Sequence, residues 1–133
     1  MKSFKTLSLM LLLFVAAFSI SSCRQEGCTN AQACNFDPDA DKDDGSCELK
    51  GTVTFWQRDN SGYNYTDVTI GGTTVVITSE YTNTPNCNAS GCANFTLCPG
   101  TYSYYAEEQF PGTAYWSGTV VVNNNGCLTI ELQ

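Results

Sequence analysis

Five acidic side chains between positions 37 and 48 have a spacing that could bind calcium. They are Asp37, Asp39, Asp41, Asp43 and Glu48. An EF-hand loop places its first and last ligands eleven residues apart, as Asp37 and Glu48 are. Lys42, however, occupies the position where the sharp turn of that loop needs glycine, and no helical pattern flanks the segment. We therefore expect either a looser Ca²⁺ site or a disulfide-clamped acidic loop in water.

Few residues of the chain could support catalysis. The sequence contains no histidine, which removes the commonest general base and the commonest zinc ligand. Glu107 and Glu108 are adjacent at the end of a predicted strand, so their side chains point to opposite faces and cannot form the carboxylate pair of a glycosidase. Lys50 precedes the first predicted strand and has no predicted carboxylate beside it with which to support an isopeptide bond. We expect a non-catalytic protein.

The pattern of residues at the amino terminus predicts an export signal. Lys2 and Lys5 precede an apolar run from Leu7 to Ile20, and Ile20-Ser21-Ser22-Cys23 follows. These four residues resemble the lipobox of bacterial lipoproteins. The resemblance implies that residues 1–22 are cleaved, that Cys23 receives lipid and that the bilayer is a partner of the mature chain. In some bacteria an Asp directly after the cysteine retains lipoproteins at the inner membrane. Arg24 stands at this position, so the resemblance favours the outer membrane. The alternative is ordinary cleavage, which leaves Cys23 free to join a disulfide.

Charge and cysteine content narrow the class of protein further. Cleavage removes Lys2 and Lys5 but no acid, which changes the net charge from −7 to −9. Nucleic acid and bare anionic lipid surfaces are therefore poor partners. Eight cysteines in a short exported chain indicate disulfides. If Cys23 carries lipid, an odd number remains and one thiol has no intramolecular partner.

The mature chain divides into an acidic, cysteine-rich segment, residues 23–49, and an apolar domain, residues 50–133. Within the segment, residues 28–47 contain three short motifs: Cys28-Thr29, Asn35-Phe36-Asp37-Pro38 and Asp43-Asp44-Gly45-Ser46-Cys47. Together, these three motifs resemble a module that recurs in secreted and surface proteins of Bacteroidota. The resemblance implies a surface or secreted location and supplies no chemistry.

The domain is predicted to be all-β. Short runs with period two, rich in β-branched and aromatic residues, alternate with Gly, Pro and Asn turns. The predicted strands are 52–57, 68–70, 75–78, 94–97, 101–106, 116–122 and 128–132. Strands of this length at this spacing predict a single seven-stranded β-sandwich, transthyretin-like or Ig-like.

One hairpin in this region resembles a known family. Phe95-x-Leu97-x-Pro99-Gly100-x-Tyr102 is similar to the hairpin of carboxypeptidase-regulatory-like, or transthyretin-like, sandwiches. Such domains serve as spacers, docking modules and carbohydrate-facing accessories. The resemblance implies a fold and no active site.

The predicted strand order suggests three disulfides. Cys98 ends one strand and Cys127 begins the last at the same end of the sandwich, so we expect them to pair. A local Cys87–Cys92 bond would hold a long loop. A clamp on the acidic segment favours Cys28–Cys47, which would leave Cys34 unpaired.

Binding candidates come from the aromatic side chains. Trp56 and Tyr105 lie on the strand faces opposite Val53-Phe55 and Tyr102-Tyr104, so period two predicts that both are exposed. Exposed aromatic rings can stack on sugars or anchor a protein interface. The alternative is that such residues simply form good strands.

The sequence thus predicts a lipid-anchored, surface-exposed outer-membrane protein that acts as a non-catalytic interaction or accessory subunit of an outer-membrane complex. A carbohydrate-binding surface lipoprotein is the alternative. An outward row of Trp or Tyr would favour a glycan as ligand, whereas a contiguous apolar patch would favour a protein partner.

Overall fold

The structure, a computed structural model, describes residues 24–59, 65–109 and 114–133. The predicted signal peptide, residues 1–22, and the predicted lipid-bearing Cys23 lie outside the described residues. The described part is all-β and contains no helix. None of it therefore offers a helix long and apolar enough to cross a membrane.

Nine strands form in the described residues. The acidic segment holds two short ones, β1 (Glu26–Gly27) and β2 (Lys42–Asp43). The other seven are β3 (Gly51–Gln57), β4 (Thr66–Ile70), β5 (Thr73–Ile77), β6 (Ala93–Leu97), β7 (Gly100–Glu108), β8 (Tyr115–Val122) and β9 (Cys127–Leu132). These confirm the seven predicted strands, with bounds shifted by a few residues.

The domain strands form two sheets. One has the order β6-β3-β9, with β3 antiparallel to β6 and parallel to β9. The other has the order β5-β4-β7-β8 and is antiparallel throughout. Gly71 and Gly72 connect β4 to β5 with φ values of 56° and 81°, which glycine adopts without steric cost.

One hydrophobic core receives side chains from both sheets. Val53 and Phe55 come from β3, Val68 from β4 and Ala106 from β7, and all four are fully buried. The Phe55 ring lies 4.8 Å from the Tyr104 ring and 6.0 Å from the Phe95 ring, centroid to centroid. Burial of a phenylalanine of this kind contributes about 2–3 kcal/mol to folding.

A polar contact also lies within the buried part of the domain. The Thr66 hydroxyl donates to Gln57 Oε1 at 2.9 Å, and both residues are buried. A buried amide left without a partner would cost about 1–3 kcal/mol, so this bond fixes the ends of β3 and β4 relative to one another.

The outward face of the three-stranded sheet is covered by residues 78–92. The Asn88 amide donates to the Thr54 hydroxyl at 3.1 Å, and that hydroxyl donates to Asn94 at 2.7 Å. Tyr81 continues the pairing beside Arg58 at the end of β3. This loop turns what would be a solvent-facing surface into a second, partly polar interior.

Two asparagine side chains, one within the acidic segment and one in the domain, hold the end of that segment. Asn35 accepts from the Glu48 amide at 2.8 Å and donates to the Ser46 carbonyl at 2.7 Å. Asn124, from the β8–β9 turn, binds the alternate residues in the same way: it accepts from the amide of Leu49 and donates to the carbonyl of Cys47. Residues 46–49 are therefore bound on both sides by side-chain amides.

The disulfides differ from most of the predicted ones. Cys28 pairs with Cys47, as predicted, but Cys34 pairs with Cys98 and Cys87 with Cys127. The predicted Cys98–Cys127 bond is wrong because β3 lies between β6 and β9. Two strand spacings of about 4.8 Å exceed the usual Cα separation of a disulfide.

The predicted Cys87–Cys92 bond is also wrong. Cys87 pairs with Cys127, and Cys92 is buried at the end of the loop that covers the three-stranded sheet. Cys92, not Cys34, is the free thiol among the described cysteines. Burial raises the pKa of this thiol, which keeps it protonated and unreactive.

Candidate functional site on the four-stranded sheet

The outward face of the four-stranded sheet carries two exposed tyrosines. Tyr105 on β7 pairs with Thr69 of β4 on one side and Ser117 of β8 on the other. Tyr115 pairs with Glu107 in the next row. Alternation along the strands places all of these opposite the core. We call this surface the tyrosine face; it comprises Asp67, Thr69, Ser103, Tyr105, Glu107, Tyr115 and Ser117.

The predicted exposure of Tyr105 is confirmed. Its side chain is 45% exposed, and its hydroxyl donates to Glu107 Oε2 at 3.2 Å. The pKa of Tyr105 is raised, first by partial loss of water and then by the Glu107 carboxylate, with a smaller contribution from Tyr115. The phenol therefore stays neutral and keeps its hydrogen-bonding proton well above neutral pH.

Tyr115 and Glu107 were not among the predicted site residues. Tyr115 is 72% exposed, the highest value among the large exposed apolar and aromatic side chains of the described part. One feature of the sequence indicated that Tyr115 is exposed. It directly precedes Trp116, a half-buried residue that packs against the core. Alternation alone would have placed Tyr115 on the same face as Tyr105.

A second polar contact borders the tyrosine face. Gln109 donates its side-chain amide to Asp67 Oδ1 at 2.8 Å, and its backbone amide donates to the Tyr65 carbonyl at 2.7 Å. Asp67 lies opposite Glu107 in the β4–β7 ladder. Two carboxylates therefore lie on adjacent strands beside the two tyrosine rings.

This arrangement suits a ligand with both apolar and hydroxylated surfaces. Flat tyrosine rings can cover the C–H face of a sugar, carboxylate oxygens can accept from its hydroxyl groups, and side-chain hydroxyls can accept from or donate to them. The remaining side chains of the face are mainly serine and threonine, so the two rings do not extend into a contiguous apolar patch.

Trp56 does not belong to an exposed site, and its predicted exposure is wrong. The side chain is 1% exposed although it lies on the outward face of β3. The Arg58 guanidinium lies 5.4 Å from its ring centre, and Arg58 is in turn held by Glu131 through bonds of 2.7 and 2.9 Å. Period two predicted the correct face, but the sequence did not reveal that other groups would cover it.

The predicted calcium ligands make local contacts. Asp37 accepts from the Asp39 amide, and Asp43 accepts from the Gly45 amide, each at 2.9 Å. Among the described residues, which include Asp41 and Glu48, no three acidic, cysteine or histidine side chains lie together as a metal site requires. The carboxylates of Asp37 and Asp43 instead stabilise backbone turns.

Comparisons of the chain with family models, curated proteins and solved structures find no match.

Proposed function

We propose that this chain is a lipid-anchored, non-catalytic outer-membrane protein that binds carbohydrate at the cell surface through its tyrosine face. The observation that carries the proposal is the pair of outward rings, Tyr105 and Tyr115, beside the carboxylates of Asp67 and Glu107. An outward row of aromatic rings with interspersed polar groups favours a glycan over a large apolar protein interface.

The cysteine pairing supports lipidation of Cys23. Six of the seven described cysteines pair with one another, and the seventh, Cys92, is only 5% exposed. Cys23 therefore has no accessible thiol partner among them, which removes the parity argument for an unmodified Cys23. The lipobox-like residues 20–23 fit an acylated cysteine.

The attachment of the acidic segment supports presentation close to the membrane. Gln25, two residues after Cys23, already accepts a hydrogen bond from the Asp41 amide at 2.8 Å. Cys34–Cys98 and Asn124 then join the segment to one end of the domain. An anchor at Cys23 would thus be followed by folded chain, without a long flexible linker.

The carboxypeptidase-regulatory-like sandwich belongs to the same proposal. Its support is the pair of sheets with one common core and the hairpin at Pro99-Gly100, where the Tyr102 hydroxyl donates to the Cys98 carbonyl at 3.0 Å. Calcium is not part of the proposal, because the acidic side chains do not converge.

Carbohydrate binding is tested by titrating the purified exported chain with a panel of soluble polysaccharides and measuring heat or tryptophan fluorescence. Tyr105→Ala should weaken binding at least about tenfold, as loss of a central aromatic contact does. Tyr105→Phe should keep most of the affinity because it keeps the ring. Thr96→Ala, on an exposed position of the other sheet, is the control; equal affinity for wild type and Tyr105→Ala would refute the site.

Lipid anchoring is tested separately by membrane fractionation. Cys23→Ala should move the protein from the membrane to the soluble fraction, whereas Ser22→Ala should leave it in the membrane. Intact mass should exceed that of residues 23–133 by the mass of the acyl groups. A soluble wild-type protein of unmodified mass would show that Cys23 is not lipidated.

The accessory-subunit prediction remains a separate hypothesis about the partner. Affinity purification from host outer membranes in mild detergent tests it. A single stoichiometric protein partner, together with no polysaccharide binding, would favour the subunit over the glycan-binding protein.

A further inference from the structure

The strand at one edge of the four-stranded sheet lacks the features that usually prevent strand addition. Among the described strands, β8 is hydrogen-bonded to β7 alone, and its eight residues make it the longest edge strand of the two domain sheets. It contains no charged residue and no proline, and its register with β7 runs without a bulge from Tyr115 to Val122. Natural sheet edges normally carry a charged residue, a proline or a β-bulge, which prevents another strand from pairing with them.

The direction of the backbone groups of β8 follows from its pairing with β7. The Glu108 amide donates to the Ala114 carbonyl, so residue 114 and the even-numbered residues after it direct their backbone groups towards β7. The odd-numbered residues direct theirs to the free edge. These are Tyr115, Ser117, Thr119 and Val121, and their side chains also lie on the outward face of the sheet.

We propose that β8 pairs antiparallel with β8 of a second copy of this chain, with Gly118 opposite Gly118 at a twofold axis. This register places Ser117 opposite Thr119 and Tyr115 opposite Val121. Each of these pairs exchanges two backbone hydrogen bonds through the groups that point to the free edge. The two four-stranded sheets become one sheet of eight strands.

The two ends of β8 carry side chains that suit pairing with a second copy. Tyr115 and Val121 are 72% and 58% exposed, the two largest values among the exposed large apolar and aromatic side chains of the described part. They lie at equal distances from Gly118, so the twofold pairing places each beside the other on the outward face. An aromatic residue opposite a β-branched residue is a favourable cross-strand pair.

The acidic charge of the chain does not oppose this dimer. Glu107 lies in the row of Tyr115, and its counterpart in the second copy lies in the row of Val121. Six residues of strand, about 20 Å, therefore separate the two Glu107 rows along the strand direction. Screening at physiological salt acts within about 8 Å, so repulsion between these carboxylates is weak.

The experiment measures the mass and amide exchange of the purified exported chain, in mild detergent if it carries lipid, across a range of protein concentrations. Light scattering should show a dimer whose fraction rises with concentration. The amides of Ser117 and Thr119 should become protected as the dimer forms, while those of Trp116 and Val120, already bonded to β7, should be protected at every concentration. A monomer throughout, or a dimer with unprotected Ser117 and Thr119 amides, would overturn the proposal.

Two variants at one position sharpen the test. Thr119→Pro removes a donor that points to the free edge and should weaken dimerisation about thirtyfold, because the twofold axis doubles the loss of one bond. Thr119→Ala keeps the donor and should still dimerise. Because the Thr119 amide has no partner in β7, both variants should retain the monomer fold and the three disulfides. Equal dimerisation by the two variants would show that β8 is not the interface, and this outcome is independent of carbohydrate binding.

Discussion

The acidic segment and the two-sheet domain are stabilised by different means. Residues 24–49 bury little apart from Cys28, and their one large aromatic side chain, Phe36, is 42% exposed. The domain buries Phe55, Val53 and Val68 almost completely in one core. The segment depends on disulfides, aspartate turns and asparagine contacts, whereas the domain depends on apolar burial.

This difference shows how a polar segment can be ordered without a core of its own. Too little apolar surface is available to offset the entropy of its backbone. Two covalent links, Cys28–Cys47 within the segment and Cys34–Cys98 to the domain, reduce the entropy of the unfolded chain instead. The domain then provides the fixed surface to which the segment is attached.

The largest predicted contrast is between two phenylalanines. Phe55→Ala should lower the free energy of unfolding by about 3–5 kcal/mol, because it removes a buried ring that contacts Phe95 and Tyr104. Phe36→Ala should change it by less than about 0.5 kcal/mol. Urea unfolding of the oxidised proteins measures both, and similar losses for the two variants would contradict the comparison.

The second prediction concerns the bond between the two regions. Replacing Cys34 and Cys98 together with serine should cost about 2–4 kcal/mol, since the bond closes a loop with a sequence separation of 64 residues. Replacing Cys28 and Cys47 should instead loosen mainly the acidic segment, so limited proteolysis there should accelerate while the domain remains resistant. Equal protease resistance in both regions would argue against a separately stabilised segment.

A smaller effect is expected at the asparagine contact between the regions. Asn124→Ala removes the bonds of its side chain to Leu49 and Cys47 and should cost about 1 kcal/mol. The exposed neighbour Asn123 supplies a control through Asn123→Ala. Amide exchange should report faster opening at Leu49 in the first variant; unchanged exchange there would show that the disulfides alone hold the segment.

The smallest effect is a pH dependence within the domain. Hydrogen bonds from Arg58 lower the pKa of Glu131 below its ordinary value of 4.5, and the same contact raises the pKa of Arg58. A lowered carboxyl pKa adds stability above the unfolded value, and this part is lost as the pH falls through the folded value. The difference in melting temperature between wild type and Glu131→Gln should therefore shrink from pH 6 to pH 3. A constant difference would mean that the charge of Glu131 contributes nothing.

Local patterns predicted most of the secondary structure. Period two and glycine or proline turns determined the seven domain strands, because side-chain alternation and turn geometry depend on neighbouring residues. The same alternation placed Tyr105 on an exposed face. It also placed Trp56 on the outward face of β3, but it could not predict the loop and the Arg58–Glu131 pair that bury it.

By itself, the sequence determined the strands, the division into an acidic segment and an apolar domain, and the Cys28–Cys47 pair, since each depends on nearby residues or composition. Only the tertiary structure decided which distant cysteines meet, that Cys92 is the buried free thiol, and that Tyr105, Glu107 and Tyr115 form one surface. The physical reason is that strand order in the two sheets brings together residues far apart in the chain, and no local spacing encodes that order.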